Sequence, residues 1–178
     1  MAAIPEVPLL TAPTVAALQQ ACDGLLVRGN PAWLERESLG FVVAAMSLPN
    51  VLIRLVEDAT VIAPGDRYDL LPGLVMAHQS GTFPQLAAIV LTGGYHPPEP
   101  VSRLLEGVQQ DLPIISTELG TFETATILAA VRGPIEVGSR VKIETALRTF
   151  AEAVDEDVLL AAIDVGKGTT MTPLMFQF

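Results

Sequence analysis

Residues 87–95 read Ala87-Ala88-Ile89-Val90-Leu91-Thr92-Gly93-Gly94-Tyr95. An unbroken apolar run, closed at once by a threonine and two glycines, describes a strand buried on both faces and the sharp turn that ends it. The same grammar recurs on either side. Upstream, Thr60-Val61-Ile62-Ala63 is a strand and Pro64-Gly65-Asp66-Arg67 its exit loop. Downstream, Pro113-Ile114-Ile115-Ser116 is a third strand, leading through Thr117 and Glu118 into Thr121-Phe122-Glu123-Thr124. A helical stretch follows each strand, over 70–79, 101–110 and 121–131. Pro72 and Gly73 weaken the first of these only near its start, where proline is tolerated. Three strand–loop–helix units in succession predict an α/β fold: a three-layer sandwich whose largely parallel sheet is flanked by helices.

Outward from this centre the signals are shorter. Residues 1–13 carry three prolines and read as an extended lead-in. Thr14 is a capping residue for a helix to about Cys22, with Val15, Leu18 and Ala21 on one face. Leu25 to Val27 is a short strand, and Gly29-Asn30-Pro31 turns the chain. A buried strand is expected over 41–46, and Ser47 caps a helix whose body is 50–56. Beyond the three units, a long helix is expected from about 141 to 154. Ile143, Ala146, Leu147 and Phe150 give it an apolar face, most simply read as core packing, with contact to a further domain or another subunit as the alternative. Asp155-Glu156-Asp157 reads as the acidic first turn of a short helix to about 163. The domain is thus expected over 14–165. Residues 166–178 read as a linker and the start of a further domain, because Leu174, Met175, Phe176 and Phe178 suit an interface better than a solvated tail.

The chain has 178 residues and half of them are hydrophobic, enough for a domain with a real core. Its formal net charge of −10 argues against nucleic-acid partners and against anionic lipid. A single cysteine, Cys22, excludes an internal disulfide framework and fits a reducing, cytoplasmic setting. The start has no basic segment followed by an apolar run, so it does not read as a signal peptide. No run is apolar for the ~18 residues that a membrane span needs.

In an open parallel sheet, ligands bind outside the carboxyl ends of the strands. The three exit loops should therefore meet on one rim. Arg67 offers a bidentate fork for a carboxylate or phosphate. Gly93 and Gly94 allow close approach of backbone N–H groups. Thr121 or Thr124 can place a hydroxyl at a helix N-terminus. Asp66, Arg67, Thr92, Gly93, Gly94, Thr117, Thr121 and Thr124 are the candidate ligand-binding set. A plainer reading stands beside it: Asp66 and Arg67 pair with each other or cap a neighbouring helix, and Thr92-Gly93-Gly94 is only a tight turn.

Other chemistries find little support. Gly166-Lys167-Gly168-Thr169-Thr170 lacks the earlier glycine of a phosphate loop, and Lys167 is followed by glycine. His78 and His96 have no companion ligand at metal spacing. His78 reads as a helix-end residue, favourable there if protonated. Cys22 reads as a packed thiol rather than a nucleophile. No Gly-x-Ser-x-Gly elbow is present. No catalytic residue, metal or cofactor is expected.

The exit loops also carry a resemblance. Asp66-Arg67 and Thr92-Gly93-Gly94, one strand apart, resemble the residues for which the DRTGG domain is named. Leu91-Thr92-Gly93-Gly94-Tyr95 and Thr121-Phe122-Glu123-Thr124 are similar to the form found in long phosphate acetyltransferases. Thr172-Pro173-Leu174-Met175-Phe176 is similar to the junction where those enzymes enter their catalytic domain. The resemblance implies a fold like the N-terminal domain of HPr kinase. It implies a parent that interconverts acetyl-CoA and phosphate with acetyl phosphate and CoA, its catalytic residues lying in a later domain. It implies, as partners, that catalytic domain, a P-loop-like domain placed earlier and other copies of the chain in a homo-oligomer. It also implies a regulatory and oligomer-stabilising role, with a small anionic metabolite such as pyruvate or NADH as effector. The alternative is a stand-alone module that senses a metabolite or nucleotide.

Overall fold

The computed structural model describes residues 4–108, 111–135 and 139–154. The helix expected over 155–163 and the apolar positions Leu174, Met175, Phe176 and Phe178 lie outside the described residues. Residues 8–136 form one compact unit; residues 1–7 and 137–178 form another.

The larger unit begins within the lead-in that was expected to be extended. Pro8–Thr11 instead make one turn of helix, α1, because proline at a first helical position has its φ already set. Thr14 then caps α2 (Val15–Ala21), its hydroxyl accepting from the Ala17 N–H at 3.2 Å. Strand β1 is Leu25–Arg28, and a 3₁₀ turn, Pro31–Glu35, follows it. Strand β2 is Gly40–Val43, shorter than the expected 41–46. Helix α3 (Leu48–Leu52) starts at its capping Ser47 and stops four residues before the expected end. Then come β3 (Ala59–Pro64), α4 (Leu70–Gln79), β4 (Leu86–Thr92), α5 (Glu99–Glu106), β5 (Ile114–Ser116) and α6 (Thr121–Ala130). Helix α5 begins two residues earlier than the pattern suggested, since Pro100 fits a first turn.

The five strands form one sheet in the order β1-β5-β4-β3-β2. Strands β2 to β5 are parallel, and β1 runs antiparallel along β5. Three crossovers in a row step the same way along the sheet, and crossovers of one hand then put their helices on one face. Val61, Ala63, Ile89, Leu91 and Ile114 point to that face and pack under α3, α4 and α5. Ile62, Ala88, Val90 and Ile115 point to the other, against Val15 and Leu18 of α2 and Leu128 of α6. All seven residues of β4 are buried. Gly73 lets α4 approach α3, for a Cβ there would run into the Leu48 side chain.

The smaller unit contributes α7 (Arg140–Ala153), matching the long helix expected there. Its apolar positions do not all pack as expected: Leu147 and Phe150 are exposed. No helix among the described residues is long and apolar enough to cross a membrane.

Candidate functional site

The parallel strands β3, β4 and β5 deliver their exits to one edge of the sheet, and hydrogen bonds join those exits directly. The Gly65 N–H after β3 donates to the Thr92 carbonyl at the end of β4, at 2.8 Å. The Thr92 and Thr121 hydroxyls share a bond of 2.7 Å, which carries the β4 exit to the first turn of α6. Gly93 N–H donates to the Leu119 carbonyl at 2.8 Å, and Gly94 N–H to the Thr117 carbonyl at 2.9 Å. The Thr117 hydroxyl donates to the Cys22 carbonyl at 2.6 Å and so adds the end of α2. The corners containing Asp66-Arg67, Thr92-Gly93-Gly94 and Thr121-Phe122-Glu123-Thr124 therefore share one rim.

The two glycines are required by this geometry. Gly93 and Gly94 have φ of +87° and +71°, where side-chained residues are strained. A Cβ on Gly93 would also come within 3.0 Å of the Tyr95 ring, and one on Gly94 would meet the Glu118 carboxylate. Both N–H groups are already donated to carbonyls of the β5–α6 connection. In this arrangement they close the rim.

Arg67 does not pair with Asp66. Its guanidinium grips Asp69 through Nε and Nη2, both at 2.8 Å, and Nη2 also reaches the Met46 carbonyl at 3.4 Å. The hydrogen bond from Arg67 holds the Asp69 carboxyl below its ordinary value and raises that of Arg67. Asp66 is exposed and forms no ion pair among the described residues.

Thr124 stands apart from the other threonines. It is fully buried and its hydroxyl has no hydrogen-bond partner. Cys22 is buried as expected, and that burial pushes its thiol up from its ordinary pKa. Among the described residues no group of three or more His, Cys, Asp or Glu could hold a metal ion.

At the opposite end of the strands lies a cluster the sequence did not reveal. His78, buried in the last turn of α4, accepts at Nδ1 from the Leu86 N–H at 3.0 Å. Its ring meets Trp33 edge to face at 5.8 Å. Arg36 lies 4.4 Å above the Trp33 ring and reaches Asp58 at 2.6 Å. His78 does stand in the last turn of α4 as expected, but an accepting Nδ1 needs a neutral imidazole, so it is not there as a cation. Burial pushes its pKa down, Arg36 adds to the shift and Glu57 opposes it.

Comparison with known proteins agrees with the geometry. A family model described as the DRTGG domain matches residues 17–131. The chain is 31% identical over 176 residues to a phosphate acetyltransferase of Nitratidesulfovibrio vulgaris, covering 98% of this chain and 25% of that protein. It is 31% identical over 138 residues to a phosphate acetyltransferase of Synechocystis, covering 77% and 20% respectively. The chain thus spans about a quarter of the length of these curated relatives. A crystal structure of the CBS and DRTGG domains of the regulatory region of Clostridium perfringens pyrophosphatase, complexed with the activator diadenosine tetraphosphate, shares the fold. Its TM-score is 0.53 at 17% identity, covering 84% of this chain and 65% of that one. A motif assembled at one sheet edge and a family model spanning well over half the residues agree: this chain belongs to the DRTGG domain family.

Proposed function

We propose that the chain is the non-catalytic regulatory and oligomer-stabilising domain of a phosphate acetyltransferase, an enzyme that interconverts acetyl-CoA and phosphate with acetyl phosphate and CoA. The observation that carries this reading is the bonded rim. Thr92, Gly93, Gly94, Thr117 and Thr121 bind one another or neighbouring backbone, so they weld three strand exits into one rigid edge. Such an edge suits a part that passes contact forces between domains. Similarity to phosphate acetyltransferases along 98% of the chain supports the choice of parent.

The test is made in the parent enzyme, comparing the intact protein with one lacking the segment that corresponds to residues 14–165. Acetyl phosphate formation should persist, while oligomer mass by light scattering and the response to pyruvate or NADH should fall. Unchanged assembly together with unchanged effector response would overturn the proposal. So would acetyl phosphate formation by the 178-residue chain alone.

A second reading, an effector-sensing module, draws on Arg67. Its fork is partly exposed and paired only locally, so an anionic metabolite or nucleotide could exchange with Asp69. The C. perfringens regulatory region, made of CBS and DRTGG domains, is complexed with the activator diadenosine tetraphosphate. Thermal shift with pyruvate, phosphoenolpyruvate, NADH and ATP separates the readings, since a ligand of the native state raises the midpoint. A rise that Arg67→Ala abolishes supports sensing at this rim. No rise with any of the four counts against it.

A further inference from the structure

The rim carries two large aromatic side chains that the fold leaves in solvent. Phe122, in the first turn of α6, is 87% exposed, the most of any large apolar side chain among the described residues. Tyr95 is 51% exposed, and its ring rests against Gly93. The two share an edge. Thr121, which precedes Phe122, is bonded to Thr92, and Gly65 N–H and Gly93 N–H tie the loop bearing Tyr95 to the exits on either side.

Among the described residues, the charges of these corners that lack an ion-pair partner are negative. Asp66 follows Gly65, Glu118 lies against Gly94, and Glu123 follows Phe122. All three are exposed and form no ion pair among the described residues. Arg67 is the cation of these corners, and it is already gripped by Asp69. The net charge of −10 adds to the same field. Such a frame favours a cationic occupant, in opposition to the anionic effector of the second reading, whose fork at Arg67 is already filled by Asp69. A cation is drawn to it twice, by the carboxylates and by the negative faces of the rings, on which a guanidinium stacks well.

We infer that the rim formed by Tyr95, Phe122, Asp66, Glu118 and Glu123 docks a basic polypeptide segment, with an arginine or lysine side chain over the rings and its charge among the carboxylates. Charge complementarity selects this occupant. The inference goes beyond the regulatory reading and does not depend on it, since a docking surface of this kind would serve any parent.

The experiment titrates the ¹⁵N-labelled 178-residue chain with the peptide acetyl-Gly-Arg-Gly-Arg-Gly-amide, with its glutamate counterpart and with ATP. The arginine peptide should shift amide signals at 66, 94, 95, 118 and 122, and the response should weaken as salt rises. Phe122→Ala and Glu118→Gln should each weaken binding at least threefold. Because both side chains are exposed, neither change should move the thermal midpoint. Absent rim shifts, equal shifts with the glutamate peptide, or undiminished binding by Phe122→Ala would each overturn the inference. Rim shifts with ATP and none with the arginine peptide would overturn it in favour of an anionic effector.

Discussion

The hydroxyls of Thr92 and Thr121 lie 2.7 Å apart, and this one bond fastens the end of the buried strand β4 to the first turn of α6. Thr92 is almost fully buried, so its hydroxyl has no water to fall back on. Thr92→Val should therefore cost about 1–2 kcal/mol, in line with a buried hydrogen bond whose partner is left behind. The double variant with Thr121→Val should lose less than the two single losses summed, because both remove the bond they share, while Thr92→Val alone also removes the 3.4 Å bond to the Ala63 carbonyl. Urea denaturation of the four proteins measures this, and strict additivity would show that the bond contributes nothing.

Thr124 should behave in the opposite way. Its buried hydroxyl has no partner, so Thr124→Val removes an unsatisfied group without changing the shape of the side chain. Stability should stay level or rise by about 1 kcal/mol. A marked loss in the same urea assay would mean that this hydroxyl has a partner in solution.

The glycines with positive φ can be ranked by what surrounds them. Gly81 also has a positive φ, +64°, but a Cβ there meets nothing within 4 Å. Gly81→Ala should cost about 1 kcal/mol from backbone strain alone. Gly93→Ala carries the same strain and must also displace the Tyr95 ring, so its loss should be larger. Comparable melting temperatures for the two variants would show that the ring moves aside freely.

His78 makes stability depend on pH. Its folded pKa lies below the ordinary 6.5. As pH falls below about 6.5 the unfolded chain takes up a proton that the folded chain does not, and the native state loses ground until its own lower pKa is passed. Stability should thus rise with pH across this window. His78→Leu should flatten that slope and lower stability by about 1–3 kcal/mol, because the Leu86 N–H loses its acceptor. Melting temperatures between pH 5 and 8 check both outcomes.

Arg67 and Asp69 form an exposed pair, which solvent screens. Arg67→Ala should leave the melting temperature essentially unchanged. A clear fall would show that the tie to the Met46 carbonyl matters more than its 3.4 Å length suggests.

Much of this was legible along the chain. The apolar runs of β3 and β4 are long enough to be buried on both faces, and each ends at a turn signal. The strand–helix alternation around them requires parallel pairing and places their exits on one edge. Strand direction alone decides which loops are neighbours, so the order of strands already puts Asp66, Arg67, Thr92, Gly93, Gly94, Thr117 and Thr121 on one edge; it could not tell that Thr124, of the same candidate set, turns its hydroxyl into the core. The antiparallel course of β1 was not legible, since four residues with two exposed side chains carry no mark of their partner.

How the polar groups divide among partners was settled only by three-dimensional packing. Arg67 turned to Asp69 rather than to Asp66, the two glycine N–H groups went to residues 117 and 119, and His78 became an acceptor for Leu86. Periodicity is a local property, and neighbouring residues suffice to express it. A hydrogen bond depends on distance and angle between atoms that, for Thr92 and Thr121, lie 29 residues apart along the backbone. Such pairs acquire partners only once the layers on either side have brought them together.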